Sequence, residues 1–181
     1  MKKLLAFITF GILSTASAAQ TGLLLGGSIG VKDHPESFDL TTFYASKPFE
    51  SNSALRAYVP LSMMLGDGFI GVRAIPGVEY DLHKFKLENK DFTLSGTAGL
   101  SLRYTHADSP FPGFSSADGF AIGIAPALFI RGDLTDKIGI RFSPLGLDFV
   151  SWGYTKSGSS SNSDFDLSVA YMIQIGLTYN F

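Results

Sequence analysis

The sequence predicts an all-β fold, a transmembrane up-and-down antiparallel β-barrel of eight strands. Three observations carry that prediction. The segment from Phe165 to Phe181 alternates apolar and polar residues throughout, and seven further segments repeat the pattern. After the first 20 residues, no run of 18 consecutive apolar residues offers a membrane-crossing helix. Mean hydropathy is nonetheless above zero, so the chain must place its apolar residues by alternation.

The final segment is the clearest. Phe165, Leu167, Val169, Tyr171, Ile173, Ile175, Leu177, Tyr179 and Phe181 share one parity. Asp166, Ser168, Ala170, Met172, Gln174, Gly176, Thr178 and Asn180 share the other. Successive strand side chains point to opposite faces, so one face is wholly apolar and the other small or polar. A strand of a soluble sandwich runs for about five or six residues. A run this long suits a tilted strand crossing about 25 Å of lipid.

The chain begins Met1-Lys2-Lys3, continues almost wholly apolar from Leu4 to Leu13, and closes on Ala16-Ser17-Ala18-Ala19. These are the three parts of a secretory signal peptide. The apolar run falls short of the roughly 20 residues of a spanning helix. Residues 1–19 are therefore expected to be a leader cleaved after Ala18 or Ala19, with 20–181 as one barrel domain. Loss of Lys2 and Lys3 takes the formal charge from −2 to −4, which leaves no basic footprint for nucleic acid. The absence of cysteine excludes disulfide staples and thiolate chemistry.

The strands follow in order. Leu23, Leu25, Ile29 and Val31 oppose Leu24, Gly26, Ser28, Gly30 and Lys32. Weaker alternation covers Phe38–Ala45, Leu55–Met64 and Ile70–Leu82. Phe92, Leu94, Gly96, Ala98, Leu100, Leu102 and Tyr104 oppose Thr93 through Thr105 on the other parity. Phe120, Ile122, Ile124, Pro126, Leu128 and Ile130 oppose Ala121 through Arg131. Ile138–Tyr154 and the final segment complete an even set of eight, as single-chain bacterial barrels require.

Pro60, Pro76, Pro126 and Pro144 fall inside these runs. Each removes a ladder hydrogen bond, and a closed barrel has no free edge for it. Bulges are the expected remedy, most plainly at Pro144, where the apolar parity shifts between Phe142 and Leu145.

Outside loops are expected at Asp33–Ser37, Leu65–Gly68, His106–Gly119 and Lys156–Asp164, and inside turns at Lys47–Ser53, His83–Asp91 and Gly132–Asp136. Phe92 and Tyr104 bracket one strand on its lipid parity. They lie about 40 Å apart at ~3.3 Å per residue, or about 30 Å along the normal at a tilt of roughly 40°, close to two interface girdles. Tyr80, Tyr179 and Phe181 join the inner girdle, and Phe38, Phe69, Phe120 and Phe165 the outer one.

The leader, the eight alternating segments and the ending Tyr179-Asn180-Phe181 resemble the small outer-membrane barrels of the OmpA transmembrane domain and the OmpX/Ail group. That resemblance spans the mature chain as pattern. It implies a bacterial outer-membrane location, a monomeric barrel, and contact with outer-membrane lipid and lipopolysaccharide. It also implies that Tyr179 and Phe181 serve as a signal to the barrel-assembly machinery.

All five arginines, Arg56, Arg73, Arg103, Arg131 and Arg141, fall on the inward parity. Inward acids are Asp39, Glu79, Asp81, Asp148 and Asp166. Strand direction places Arg56, Arg131, Arg141, Glu79 and Asp81 toward the periplasm, and Arg73, Arg103, Asp39, Asp148 and Asp166 toward the outside. An eight-stranded barrel is just wide enough for side chains to fill, and charges away from bulk water must pair. The expected state is a plugged polar lumen, in a protein with a structural or surface-interaction role. The alternative is a small channel or ligand-binding barrel.

Other chemistry is weakly signalled. Some outer-membrane barrels modify lipid A through serine, histidine and an acid, and His106, Asp108 and Ser109 are the candidates. Deacylase barrels carry histidine and serine two apart with a later glutamate. Here the spacing is three, Ser109 precedes a proline, and no glutamate follows Glu88, so no catalysis is expected. His34, His83 and His106 are too dispersed for a metal site, and no cofactor is expected. Phe111, Phe114, Trp152 and Tyr154 are candidate outer-loop contacts for an unspecified surface ligand.

Overall fold

Alternating segments leave each strand with one apolar and one polar face, and a single sheet can hide the polar face only by curling onto itself. A computed structural model describes residues 20–32, 37–107, 116–165 and 167–181. The leader expected at 1–19 lies outside the described residues. The strands are β1 (Gln20–Lys32), β2 (Ser37–Phe49), β3 (Asn52–Gly66), β4 (Phe69–Ala74), β5 (Gly77–Leu87), β6 (Lys90–Ala107), β7 (Ala117–Asp133), β8 (Ile138–Ser157), β9 (Ser160–Asp164) and β10 (Ser168–Asn180). All pairings are antiparallel.

These ten segments make eight staves. β4 and β5 are one stave interrupted at Ile75–Pro76, since both pair with β3 and with β6. β9 extends the β8 ladder ahead of β10. β10 pairs with both β8 and β1, from Gln20↔Asn180 to Gly30↔Ala170, and so closes the ring. Closure removes the edges that an open sheet would expose in lipid, where backbone groups find no water.

The outer surface is apolar and the interior polar. Leu23, Leu25, Ile70, Ile124, Ile175 and Leu177 are all exposed. Arg73, Glu79, Ser95, Asp148 and Ser143 are buried. A continuous apolar surface of that extent is unstable in water and is what a barrel presents to a bilayer. Aromatics mark its borders. Phe120 and Trp152 meet edge-on at 6.1 Å near one end, and Tyr179 and Phe181 at 5.1 Å near the other.

Bulges set which residues face inward. In β8, Ser143 and Gly146 are both buried, so Pro144 and Leu145 together oppose one residue of β10. Tyr171 donates its hydroxyl to the Pro144 carbonyl there. A second bulge at Ser151 returns Trp152 and Tyr154 to the outer face, opposite Ile122 and Phe120. Further extra residues occur at Val31, Thr42 and Leu82. Two of the other prolines find comparable relief. Pro76 sits in the β4–β5 break, while the β7–β8 ladder skips Ala125 and Pro126.

Several connections are tighter than the sequence suggests. The turns reduce to Glu50–Ser51, Asp67–Gly68 and Glu88–Asn89, with Leu134–Lys137 the longest on the side of the termini. The expected turn His83–Asp91 is mostly strand. It closes at Glu88 and Asn89, with φ of 47° and 67°, the paired positive φ of a type I′ hairpin turn. The expected loop Lys156–Asp164 is a hairpin arm that turns at Gly158–Ser159, where Gly158 has φ 58°. The stretch reads as loop in the sequence because its serines lack hydrophobic alternation, but an arm beyond the lipid has no face to bury.

Candidate functional site

The polar parity of every stave converges on the lumen, and the chain arranges it in three layers. The layer farthest from the termini is a charge cluster. Arg73, from β4, reaches Asp39 of β2 at 2.5 Å and Asp148 of β8 at 3.1 Å. Arg103, from β6, meets the same Asp148 Oδ2 at 2.7 Å. Ser28 and Ser37 donate to the Asp39 carboxylate at 2.9 and 3.0 Å, and Ser101 donates to Asp148 at 3.2 Å. Arg73, Asp39 and Asp148 side chains are fully buried. The two serine hydroxyls and Arg73 together reach both oxygens of Asp39, as a desolvated pair requires. The donors to Asp148, in contrast, all meet its Oδ2 and leave its buried Oδ1 without a partner among the described residues.

The middle layer is apolar. Leu24, Tyr44, Tyr58, Ile75, Ala125 and Met172 form one buried cluster across the lumen. The space left among Tyr58, Ile75, Ala125 and Met172 is a void of about 20 Å³, room for about one water.

The third layer is a second charge cluster. Arg141 of β8 donates through both terminal nitrogens to Glu79 of β5, at 3.2 and 2.9 Å. Its guanidinium lies 3.9 Å from the Phe129 ring centroid and 4.6 Å from that of Tyr44. Tyr44 donates its hydroxyl to Glu79 at 3.2 Å. Arg131 bridges Glu79 at 3.5 Å and Asp81 at 2.6 Å. Below this cluster the lumen widens into a vestibule of about 640 Å³ at the end where β1 begins and β10 ends. Arg56 lines that vestibule without an ion pair among the described residues.

The bulges make this arrangement possible. Arg141 and Asp148 lie an odd number of positions apart, so an unbroken strand would send one of them into lipid. The extra residue at Pro144–Leu145 turns both inward. The same device at Thr42 brings Tyr44 inside along with Asp39, and at Leu82 it brings Lys84 inside along with Asp81.

The structure thus gathers eight of the ten residues assigned to the lumen network into two separate groups; Arg56 lies in the vestibule below them, and Asp166 lies outside the described residues. Sequence reasoning missed the separating layer, above all Tyr44 and Tyr58, and the serine donors. The switch from even apolar residues (Phe38, Leu40) to an odd one (Phe43) was the available signal for Tyr44. Trp152 and Tyr154 lie within β8 on the outer face, not in a loop. Ladder pairing with β7 carries β8 on to Ser157, so both aromatics are held by strand backbone. Phe111 and Phe114 lie outside the described residues.

At the rim far from the termini, His106 Nδ1 donates to Asp118 Oδ1 at 2.8 Å, and the Tyr104 hydroxyl donates to the same oxygen at 2.7 Å. The histidine's bond, then the tyrosine's, hold the Asp118 carboxyl below the usual carboxylate range. Asp108 and Ser109, weighed as catalytic companions of His106, lie outside the described residues. His83 is not in a turn but on β5, stacked on Phe85 at 6.4 Å, because the strand continues to Leu87. Among the described residues, no group of three metal-ligating side chains is gathered.

No family model matches this sequence, and no curated protein is similar to it by sequence. Solved structures are similar in fold. Neisserial surface protein A superposes with a TM-score of 0.58 at 13% identity, covering 91% of this chain and 96% of that one. The N-terminal β-barrel domain of Pseudomonas aeruginosa OprF gives 0.54 at 9% identity, with 90% and 97% covered. A major outer membrane protein from Thermus thermophilus gives 0.53 at 11% identity, with 90% and 99% covered. The chain has the fold of the small eight-stranded outer-membrane β-barrels.

Proposed function

We propose that this chain is a closed, non-conducting barrel of the bacterial outer membrane, with a structural or surface-interaction role carried by its outer segments. One observation supports the closed lumen above the others: the apolar layer of Leu24, Tyr44, Tyr58, Ile75, Ala125 and Met172 separates the two charge clusters. An ion crossing it would shed its water against side chains that cannot replace those hydrogen bonds. The fully buried pairs above and below add a second and third barrier.

Planar-bilayer recording tests this reading. The purified protein gives no stable large conductance, and Tyr58→Ala with Ile75→Ala, which removes two obstacles from adjacent staves, raises it. Steady high conductance of the unaltered protein would sink the reading. For the outer segments, exchange of 106–119 and of the 156–164 arm for those of an unrelated barrel abolishes any cell-surface binding that the parent confers. The lipid A acylation pattern, read by mass spectrometry, is the same with and without the protein; a changed pattern would show that it is an enzyme.

A further inference from the structure

The vestibule below the inner cluster is built from an excess of cations. Its volume of about 640 Å³ falls within the ~300–1,000 Å³ of small-molecule sites. Arg56, Lys84, Lys86 and Arg131 line it, against the carboxylates of Asp81, Asp91 and Asp133. Each carboxylate is already engaged. Arg131 holds Asp81 at 2.6 Å, Lys86 holds Asp91 at 3.6 Å, and Asn180 Nδ2 donates to Asp133 at 2.9 Å.

Arg56 and Lys84 remain. Among the described residues neither has a carboxylate within 4.0 Å. Arg56 is alone in this among the arginines, since Arg73, Arg103, Arg131 and Arg141 all hold one. Its Nε is buried with no hydrogen-bond partner, as is that of each of the other four arginines, so the missing carboxylate alone sets Arg56 apart. The acids whose field it feels, Asp81 and Glu79, are those that Arg131 and Arg141 already occupy. Lys84 faces the same space only because the bulge at Leu82 inverts the strand's parity. Without it this ammonium would point toward lipid, where a charged side chain is disfavoured.

We propose that this vestibule binds a small oxyanion, the carboxylate or phosphate group of a molecule entering from the side of the termini. Arg56 is the anchor and Lys84 the second cation. The planar guanidinium fork matches two oxygens of either group. Thr93 and Thr178 line the same space and supply hydroxyl donors, while Phe92 offers an apolar wall for the rest of the ligand. The site is closed above by the Glu79–Arg141 pair, so the ligand docks and does not pass. That the compartment is the periplasm rests on the orientation in the reading above.

The test is a titration of ¹⁵N-labelled protein in detergent micelles, following the five arginine Nε–Hε signals. Sodium phosphate and sodium acetate are added in separate arms, with sodium chloride at matched ionic strength. The expected result is a saturable shift of Arg56, with Arg131 following and Arg73 and Arg103 unmoved. The tighter arm names the phosphoryl or carboxylate source. Arg56→Gln, with Arg131 as reporter, weakens binding at least tenfold, and Lys84→Gln weakens it while leaving every arginine in place. An equal response to chloride, a response without saturation, an equal response of Arg73 and Arg103, or unchanged affinity in both variants would overturn the site. Its failure leaves the closed lumen untouched, and a conducting barrel would leave the site standing.

Discussion

Arg141 and Glu79 share two hydrogen bonds across the lumen, 3.2 and 2.9 Å long, between residues 62 apart in sequence. Both side chains are buried and the guanidinium lies between two aromatic rings. The pair closes the inner end of the barrel's interior and depends on a fold that delivers β5 and β8 to opposite walls.

Removing one partner is expected to be costly. Glu79→Gln strands a buried guanidinium and lowers stability by about 3 kcal/mol, within the ~3–5 kcal/mol of broken buried pairs. Glu79→Gln combined with Arg141→Met costs less than the sum of the two singles, because no charge is left unpaired. Urea unfolding of the protein in micelles measures both.

Deletion of Leu145 tests the parity argument. It removes the extra residue opposite β10, so Asp148 turns to lipid or Arg141 does. Either result leaves Arg103 unpaired and Arg73 with Asp39 alone, or takes from Glu79 its two bonds to Arg141. The deletion is expected to prevent formation of the heat-resistant folded band in unboiled electrophoresis. Insertion of two residues between Gly158 and Ser159, in the arm beyond the lipid, is expected to leave that band intact.

The Glu88–Asn89 turn is a site of avoidable strain. Glu88 adopts φ 47° and Asn89 φ 67°, a conformation that costs most side chains roughly 1–2 kcal/mol. Glu88→Asn with Asn89→Gly installs the pair favoured in type I′ turns. It is expected to raise stability by about 1 kcal/mol, read as a higher urea midpoint at unchanged slope.

Asp118 carries a pH dependence at the outer rim. Its folded pKa lies below its unfolded value, owing first to the hydrogen bond from His106 and then to that from Tyr104. The contact therefore stabilises the rim above the unfolded value, and that contribution is lost as pH falls through the lowered folded one. In His106→Ala the Asp118 carboxyl is expected to titrate at higher pH, followed by its ¹³C side-chain signal. An unmoved titration would remove His106 as the cause.

Alternation made the fold legible before any coordinates. The final segment Phe165–Phe181 displayed both faces of its stave, since strand periodicity is local and lipid demands it over the whole span. Arginine placement was legible for the same reason, because Arg73, Arg103 and Arg131 sit on the polar parity of their own strands. Tyr44, Tyr58 and the layer they form were not, because an apolar residue on the inward parity looks like a mismatch until its neighbours across the lumen are known.

By itself, then, the sequence determined the barrel, its eight staves and the inward parity of Arg73, Arg103 and Arg131, all consequences of two-residue periodicity. Tertiary structure alone decided which acid each arginine meets, that an apolar layer parts the charges into two groups, and that Arg56 is left over. Those outcomes depend on stagger and bulges around a closed ring, and they join side chains from staves far apart in sequence.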